Sequence, residues 1–434
     1  MRLISKSAIA DWSYNRITQW VRVVLFTGVS QVAVQAASFI SGILIIRLLP
    51  VHEYALYTLA NTFLGTMTML ADSGISSGVM AEGGKVWQDK KRLGVVLATG
   101  LNLRRKFGLV SFVITTPILA KLLLDHGATW LTTTLIILSI IPAFFAALSD
   151  SFLEMAPKLH QDIKGLQKNQ IEVSVGRLAL SALFLFVFPF TYIAIVAASL
   201  PRLYGNFKLI KISARFANDA EEPDLLVQKQ LTIGVKRTLP IVIYHCISGQ
   251  ISIWLVTFFG TTNNISELGA LGRLSIIFNL FTVMFSTLVI PRFSRMKESK
   301  SDLMKHYLII QAITFVISAS LLFAIWLGSK QILWVFGENY SGLIYPMLLI
   351  GLTSSIGLMS GICSQLVISR GWFMKPLFLI GVNFGSTVIS LAFFNINSLI
   401  GILYFNIVVS IIAYFLIFVY GLICINKISE AAVN

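Results

Sequence analysis

Arg47-Leu48-Leu49-Pro50-Val51-His52-Glu53-Tyr54-Ala55-Leu56-Tyr57 lies between two long apolar runs, one beginning at Arg22 and the other ending near Met80. Each side of Pro50 exceeds the roughly 20 mostly apolar residues that a membrane-crossing helix needs. Pro50, His52 and Glu53 mark where the backbone leaves hydrocarbon, so the unit reads as a transmembrane hairpin. It recurs half a chain later. Ser266-Glu267-Leu268-Gly269-Ala270-Leu271 follows an apolar run starting near Thr238 and precedes one ending at Pro291, and Glu267 stands 214 residues after Glu53. At that offset Asn61, Gly65, Thr68 and Asp72 fall on Ser275, Asn279, Thr282 and Ser286. Both sets share one helical face. Likewise Gln31 and Ser38 fall on His245 and Ser252, with Gln35 and Ser248 on the same faces. Matching polar stripes point to a duplicated bundle around a wet interior. The plainer reading is that small polar residues let membrane helices pack closely, but Gln31, Gln35, His245 and Asn279 are larger than close packing requires.

The whole composition agrees with a membrane protein. Of 434 residues, 56% are hydrophobic and only 12% charged, with a mean hydropathy of +0.81; a soluble chain carries about a quarter charged residues. The net charge of +15 does not signal nucleic acid, because the basic residues sit between apolar runs and not on one soluble face. Cys246, Cys363 and Cys424 lie inside apolar segments without metal or disulfide spacing and read as packing residues. The first apolar run is too long and too polar, with Gln31 and Gln35, for a signal-peptide core, and is read as a retained first helix.

Taken in order, the chain is expected to be all-α and polytopic, with twelve transmembrane helices in two six-helix lobes. An interfacial segment spans 1–21, the N-terminal lobe 22–210, a polar linker 211–237, the C-terminal lobe 238–425 and a tail 426–434. Helix two is expected to run on to Met80, helix three to begin at Phe107 after an interfacial stretch, helix seven near Thr238 and helix eight over Gly269 to Ile290. Gly328 to Asn339 reads as an interfacial turn anchored by Trp334. This arrangement puts all but Arg47, Lys121, Arg273 and Lys330 of the 34 basic residues on one side, and the Lys/Arg bias makes that side, with both termini, cytoplasmic.

Catalytic motifs are missing: no HExxH, GxSxG or Walker pattern occurs, and no outward loop could hold a catalytic domain. The expectation is a non-enzyme without cofactor or metal. Ionisable residues inside spans are functional candidates by default. Asp72 and Asp150 lie near the inner ends of helices two and four. Arg177, about two turns into helix five, is placed to pair with either carboxylate across a helix interface, as a structural pair or as a functional gate. His245 is either a packing histidine or a proton carrier. Arg273 either snorkels outward or contacts an anion, and Arg47 is expected to snorkel. With the polar stripes, the candidate cavity set is Gln31, Gln35, Asn61, Asp72, Asp150, Arg177, His245, Ser252, Arg273 and Asn279.

Several short stretches resemble Wzx-type O-antigen and polysaccharide flippases: Arg47-Leu48-Leu49-Pro50 with Glu53-Tyr54-Ala55-Leu56-Tyr57, then Asp72-Ser73-Gly74, Glu267 to Leu271, Pro291-Arg292-Phe293-Ser294, and Phe336-Gly337-Glu338-Asn339-Tyr340. Ala55 departs from a frequent Gly. The resemblance implies a MATE-like fold of two lobes around a central cavity opening alternately to either side, in the bacterial inner membrane. It further implies a substrate, an undecaprenyl-pyrophosphate-linked oligosaccharide repeat unit moved from the cytoplasmic to the periplasmic leaflet, and as partners membrane lipids, a polysaccharide polymerase and a chain-length regulator, with no nucleic acid. Two other readings compete. A cation-coupled multidrug antiporter of the same superfamily would want a deep carboxylate, and a membrane glycosyltransferase or polysaccharide polymerase would want charged groups on large external loops.

Overall fold

The structure, a computed structural model, describes residues 28–428 except 219, 295, 297, 298, 371 and 373, and omits some side chains within helices, that of His245 among them. The N-terminal segment 1–21 and the tail beyond 428 lie outside the described residues. The rest is helical. The first half holds α1 (Gly28–Leu48), α2 (Val51–Asp72), α3 (Ile75–Val86), α4 (Lys90–Asp125), α5 (Trp130–Leu153), α6 (Met155–Leu159), α7 (Ile163–Val187) and α8 (Thr191–Ser213). The second half holds α9 (Leu225–Phe259), α10 (Thr262–Leu271), α11 (Ser275–Leu288), α12 (Ile290–Ser294), α13 (Lys300–Leu327), α14 (Ser329–Phe336), α15 (Ile344–Ser369), α16 (Pro376–Phe393) and α17 (Leu399–Asn426). A helix occupies each of the stretches expected to span. Among the described residues nine helices are long and apolar enough to cross a membrane; α2 and α8 are not among the nine, and α16 has only a shorter apolar run. The protein is a multi-pass membrane protein.

The hairpin at Pro50 forms as its sequence demands. Pro50 caps α2 with φ −54° and ψ 151°, an extended residue that proline accepts before a helix. Glu53, in the first turn, accepts the backbone N–H of Thr191 at 2.8 Å and its hydroxyl at 2.7 Å, so it ties the start of α8 to the start of α2 instead of standing in an outer loop. Thr58, Thr62 and Thr66 return their hydroxyls to carbonyls four residues back, which keeps this stripe satisfied within the helix.

Five boundaries differ from the sequence expectation, each for a local reason. The second helix stops at Asp72, because Ser73 (φ 43°) and Gly74 (φ 83°) take left-handed backbone before α3 resumes. The third is one unbroken 36-residue helix from Lys90, passing through the basic triplet expected to interrupt it. Its Arg104 is neutralised: it pairs with Asp72 at 3.6 Å, donates to the Leu148 carbonyl at 2.9 Å and to Ser151, and lies 5.0 Å over the Phe152 ring. The seventh begins at Leu225, where Asp224 accepts the N–H groups of Leu226 and Val227, so half of the expected linker is helix. The eighth begins at Thr262 and is broken into α10 and α11 by a 3-10 turn, Gly272–Leu274. The Trp334 turn is itself the short helix α14. Cys246 and Cys363 are buried and Cys424 half-buried.

The Arg104 site carries a stability test. Arg104→Ala leaves the half-buried Asp72 without its cation and the Leu148 carbonyl without its donor; partial exposure of Asp72 keeps the cost below the roughly 3–5 kcal/mol of breaking a fully buried pair. Thermal unfolding of the purified protein should show a lowered Tm, partly recovered by adding Asp72→Asn. An unaltered Tm in the single variant would contradict the pairing.

Both ends of the bundle carry contacts between the halves. At the end with Pro50, α2 packs on α9 and α10, and Gly269 approaches so closely that a Cβ there would lie 2.4 Å from the Thr58 hydroxyl. His126 Nε2 bonds the Thr257 carbonyl at 2.9 Å and its Nδ1 meets Thr262 at 3.2 Å. Arg47 does not snorkel: it donates to the carbonyls of Val335 at 2.7 Å and Trp334 at 2.5 Å and lies 5.1 Å over the Trp334 ring. At the opposite end the helical start of α9 brings Leu231 and Val235 onto Ile75, Val79, Val96 and Leu103.

Candidate functional site

The first half encloses a cavity of about 260 Å³. Its chemistry comes from side chains at mid-depth. Arg177 and Arg202 stand near the middles of α7 and α8, and Asp150 reaches the same level from the inner part of α5. Arg202 donates to Asp150 at 2.8 Å. Arg177 lines the same space, makes no ion pair among the described residues, and has an enclosed Nε without a hydrogen-bond partner. The third arginine comes from the other half. The 3-10 turn that interrupts α10–α11 sends Arg273 across to α1 and α2, where it faces the hydroxyls of Tyr54 and Tyr57. Its guanidinium rests on the bare backbone of Gly42, where a Cβ would stand 3.2 Å from Nε. Three arginines against one carboxylate leave the cavity strongly electropositive, and low-dielectric walls concentrate such a field on an anion.

The second half encloses a larger, different cavity of about 390 Å³. Ser248, Gln250, Ser252, Ser275, Thr353, Ser354, Asn406 and Ser410 supply its polar groups, and among the described residues no charged side chain lines it. Ser252 donates to Asn406 at 2.8 Å, and Ser275 meets Ser354 at 3.0 Å. One half therefore offers cations, the other hydroxyls and amides.

These positions sort the sequence candidates. Asn61, Asp150, Arg177 and Arg273 come together with Ser38 in the first cavity, and Ser252 with Ser248 in the second. Others go elsewhere. Gln31 turns to Gln167 and Gln170 at 3.4 and 3.2 Å, holding α1 to α7. Gln35 is half-buried and Asn279 exposed, and neither lines the two cavities. Asp72 belongs to the Arg104 site, so of the two alternatives for Arg177 the structural pair with Asp72 or Asp150 does not form, both carboxylates being held by other arginines. The His245 side chain lies outside the described residues. Of the stripe residues, Ser38 and Asn61 thus line the first cavity, to which the second half adds Arg273, and Ser248, Ser252 and Ser275 line the second. Arg202 is a cavity residue that the sequence candidates do not include. Its place eleven residues from either end of α8, about 16 Å deep at 1.5 Å per residue, was the signal.

No family model matches the chain, and no curated protein does. Solved structures do. An inward-facing multidrug resistance MATE family transporter of the MOP superfamily superposes with TM-score 0.72 at 15% identity, covering 92% of this chain and 96% of that one. The outward-facing conformation of a multidrug resistance MATE family transporter gives 0.64 at 15% identity, with 94% and 95% covered. A mutant of the Vibrio cholerae MATE transporter VcmN gives 0.62 at 14%, with 94% and 97% covered. At such identity the likeness is one of architecture, and the chain has a MATE-like fold.

Proposed function

We propose that the protein is a flippase that carries an undecaprenyl-pyrophosphate-linked oligosaccharide repeat unit from the cytoplasmic to the periplasmic leaflet of a bacterial inner membrane by alternating access. In this reading twelve helices cross, both termini are cytoplasmic, and the glycan is destined for O-antigen or a related surface polysaccharide. The observation that carries it is the cavity lined by Arg177, Arg202 and Arg273 with Asp150 as its one carboxylate among the described residues. Guanidinium forks suit phosphate oxygens. The volume, about 260 Å³, is below the roughly 300–1,000 Å³ of a pocket that encloses a drug-sized molecule, so it suits a diphosphate and not a whole repeat unit. The neutral, hydroxyl-lined second cavity replaces the water that sugar hydroxyls lose.

Arg273 links binding to movement. It reaches the first cavity only while the end carrying Pro50 is closed, because its seat on Gly42 is a contact between the halves. When the halves part there, Arg273 withdraws with the second half and the cavity loses one of its three cations. The anion is then held less tightly on the side to which it must be released. A helix interrupted by 3-10 geometry is a suitable place for such a hinge.

Cation-coupled multidrug antiport, the competing reading suggested by the likeness to multidrug resistance MATE family transporters, would use a carboxylate free to exchange a cation. Here Asp72 and Asp150 each face an arginine, at 3.6 and 2.8 Å, and a cation would have to displace it. Proteoliposomes separate the two readings. With a labelled polyprenyl-pyrophosphate oligosaccharide, the purified protein is expected to make the inner-leaflet label accessible outside, while a proton or sodium gradient drives no uptake of a cationic dye. Dye transport without movement of the lipid-linked sugar would reject the proposal.

A further inference from the structure

A second basic cleft lies away from both cavities, at the end of the bundle that carries the basic loops. The start of α7 and the end of α8 form it, and it encloses about 510 Å³. Asp162, Gly165, Lys168, Asn169 and Glu172 line one wall, and Lys208, Lys211 and Arg215 the other. Four cations face two carboxylates, and both carboxylates are engaged. Asp162 caps α7 through the Gly165 N–H at 3.2 Å, and Glu172 holds Lys208 at 2.5 Å. Lys168, Lys211 and Arg215 are exposed and make no ion pair among the described residues.

The floor of the cleft distinguishes it from an ordinary basic surface. Asn169 is only 3% exposed, yet neither its amide nitrogen nor its oxygen has a hydrogen-bond partner among the described residues. An enclosed amide without a partner is costly. It lies over Gly205 of α8, where a Cβ would come 3.4 Å from both of its polar atoms and 2.4 Å from a Val173 methyl. Close crossing of the helices thus buries the amide beneath the three cations. Membraneward of the cleft, Val175, Tyr204 and Phe207 are exposed on the same two helices, and Tyr204 stacks under the Lys208 ammonium at 4.7 Å. Exposed aromatics beside lysines mark the level of lipid headgroups.

From this arrangement we propose that the α7–α8 cleft binds the headgroup of an anionic phospholipid, with Lys168, Lys211 and Arg215 around the phosphate and the Asn169 amide bonded to the phosphate or to a neighbouring glycerol hydroxyl. The amide both donates and accepts, which fits phosphate flanked by hydroxyl, as in phosphatidylglycerol, better than an ammonium headgroup. The acyl chains lie along Val175 and Phe207. The site is independent of the transported substrate.

Native mass spectrometry of the detergent-purified full chain, titrated with phosphatidylglycerol and with phosphatidylethanolamine, tests this. The protein should retain the anionic lipid preferentially. Each basic residue near a membrane surface contributes about a fivefold preference, so Lys168→Gln/Lys211→Gln/Arg215→Gln should weaken retention about a hundredfold. Asn169→Leu should weaken it about tenfold. Should Asn169→Leu fail to fold, the triple variant, altered only at exposed positions, still decides. Lys90→Gln/Lys91→Gln/Arg92→Gln, which removes equal charge from the start of α4, should retain lipid as the unaltered chain does. Equal retention by the two triple variants would overturn the proposal, as would equal retention of the two lipids. Displacement of the lipid by millimolar inorganic phosphate would also overturn it, since the cleft would then be a site for free phosphate.

Discussion

Arg273→Gln and Arg177→Gln are each expected to slow translocation of the lipid-linked sugar about a hundredfold while lowering stability less than removal of Arg202 does. The size follows from losing one charge-assisted contact to a buried phosphate, about 3 kcal/mol, and a tenfold change corresponds to about 1.4 kcal/mol. The smaller stability cost follows from geometry. Neither arginine makes an ion pair among the described residues, so its removal strands no carboxylate, and Arg273→Gln deprives only the Tyr54 and Tyr57 hydroxyls of a partner. Arg202 behaves differently. It neutralises Asp150 at 2.8 Å, so Arg202→Gln should lower both Tm and transport, and Asp150→Asn added to it should recover the Tm alone. Arg273→Lys separates charge from shape: a lysine keeps the positive charge but loses the planar fork, and should transport at an intermediate rate. The measurements are Tm in detergent and translocation in proteoliposomes. If Arg273→Gln transports at the unaltered rate, the cavity does not hold the substrate anion.

How far these residues could be read beforehand depends on what sets their position. The hairpin at Pro50 was legible because proline and two polar residues between apolar runs have few other places to go in a membrane. Each expected span corresponds to a helix, because apolar length is a local property. Helix ends were less legible. Arg104 in the middle of α4 looks like an interruption until Asp72, on a different helix, is known to face it at 3.6 Å. Depth is as hard to read: a lone arginine near the end of an apolar run reads as part of the basic side, yet α8 continues eleven residues beyond Arg202. Partner choice is a tertiary property. Arg177 and Asp150 line the same cavity, yet the sequence could not show that Arg202 from the adjacent helix reaches the carboxylate first. Nor could the stripes show which face turns inward. Gln31 shares a helical face with Ser38 but is held aside by Gln167 and Gln170, because α7 presents amides at that level.

Closure at the end carrying Pro50 should be a state the protein must leave in every cycle, and the contact of Gly269 with Thr58 gives a way to hold it there. A Cβ at Gly269 would lie 3.1 Å from the Thr58 Cβ, slightly under the roughly 3.5–4.5 Å of a disulfide, so a small shift of α10 lets a Thr58→Cys/Gly269→Cys pair join. With Cys246, Cys363 and Cys424 replaced, oxidation of that pair should stop translocation at least about tenfold, and reduction should restore it, since alternating access requires the two halves to rock apart at each end in turn. A bulky residue should act in the opposite direction. Gly269→Val drives a side chain into the Thr58 hydroxyl, which stands 2.4 Å from the Cβ position, and overpacking of this kind costs about 1–3 kcal/mol. The strain is relieved when the halves separate, so the variant should favour the form open at this end, and a water-soluble thiol reagent should then label a cysteine placed at Ser38 more readily from that side. Thr58→Gly in the same chain removes the clash and should return labelling to its former level. Undiminished transport by the oxidised pair would show that this end does not open during the cycle, and the withdrawal of Arg273 from the first cavity would fall with it.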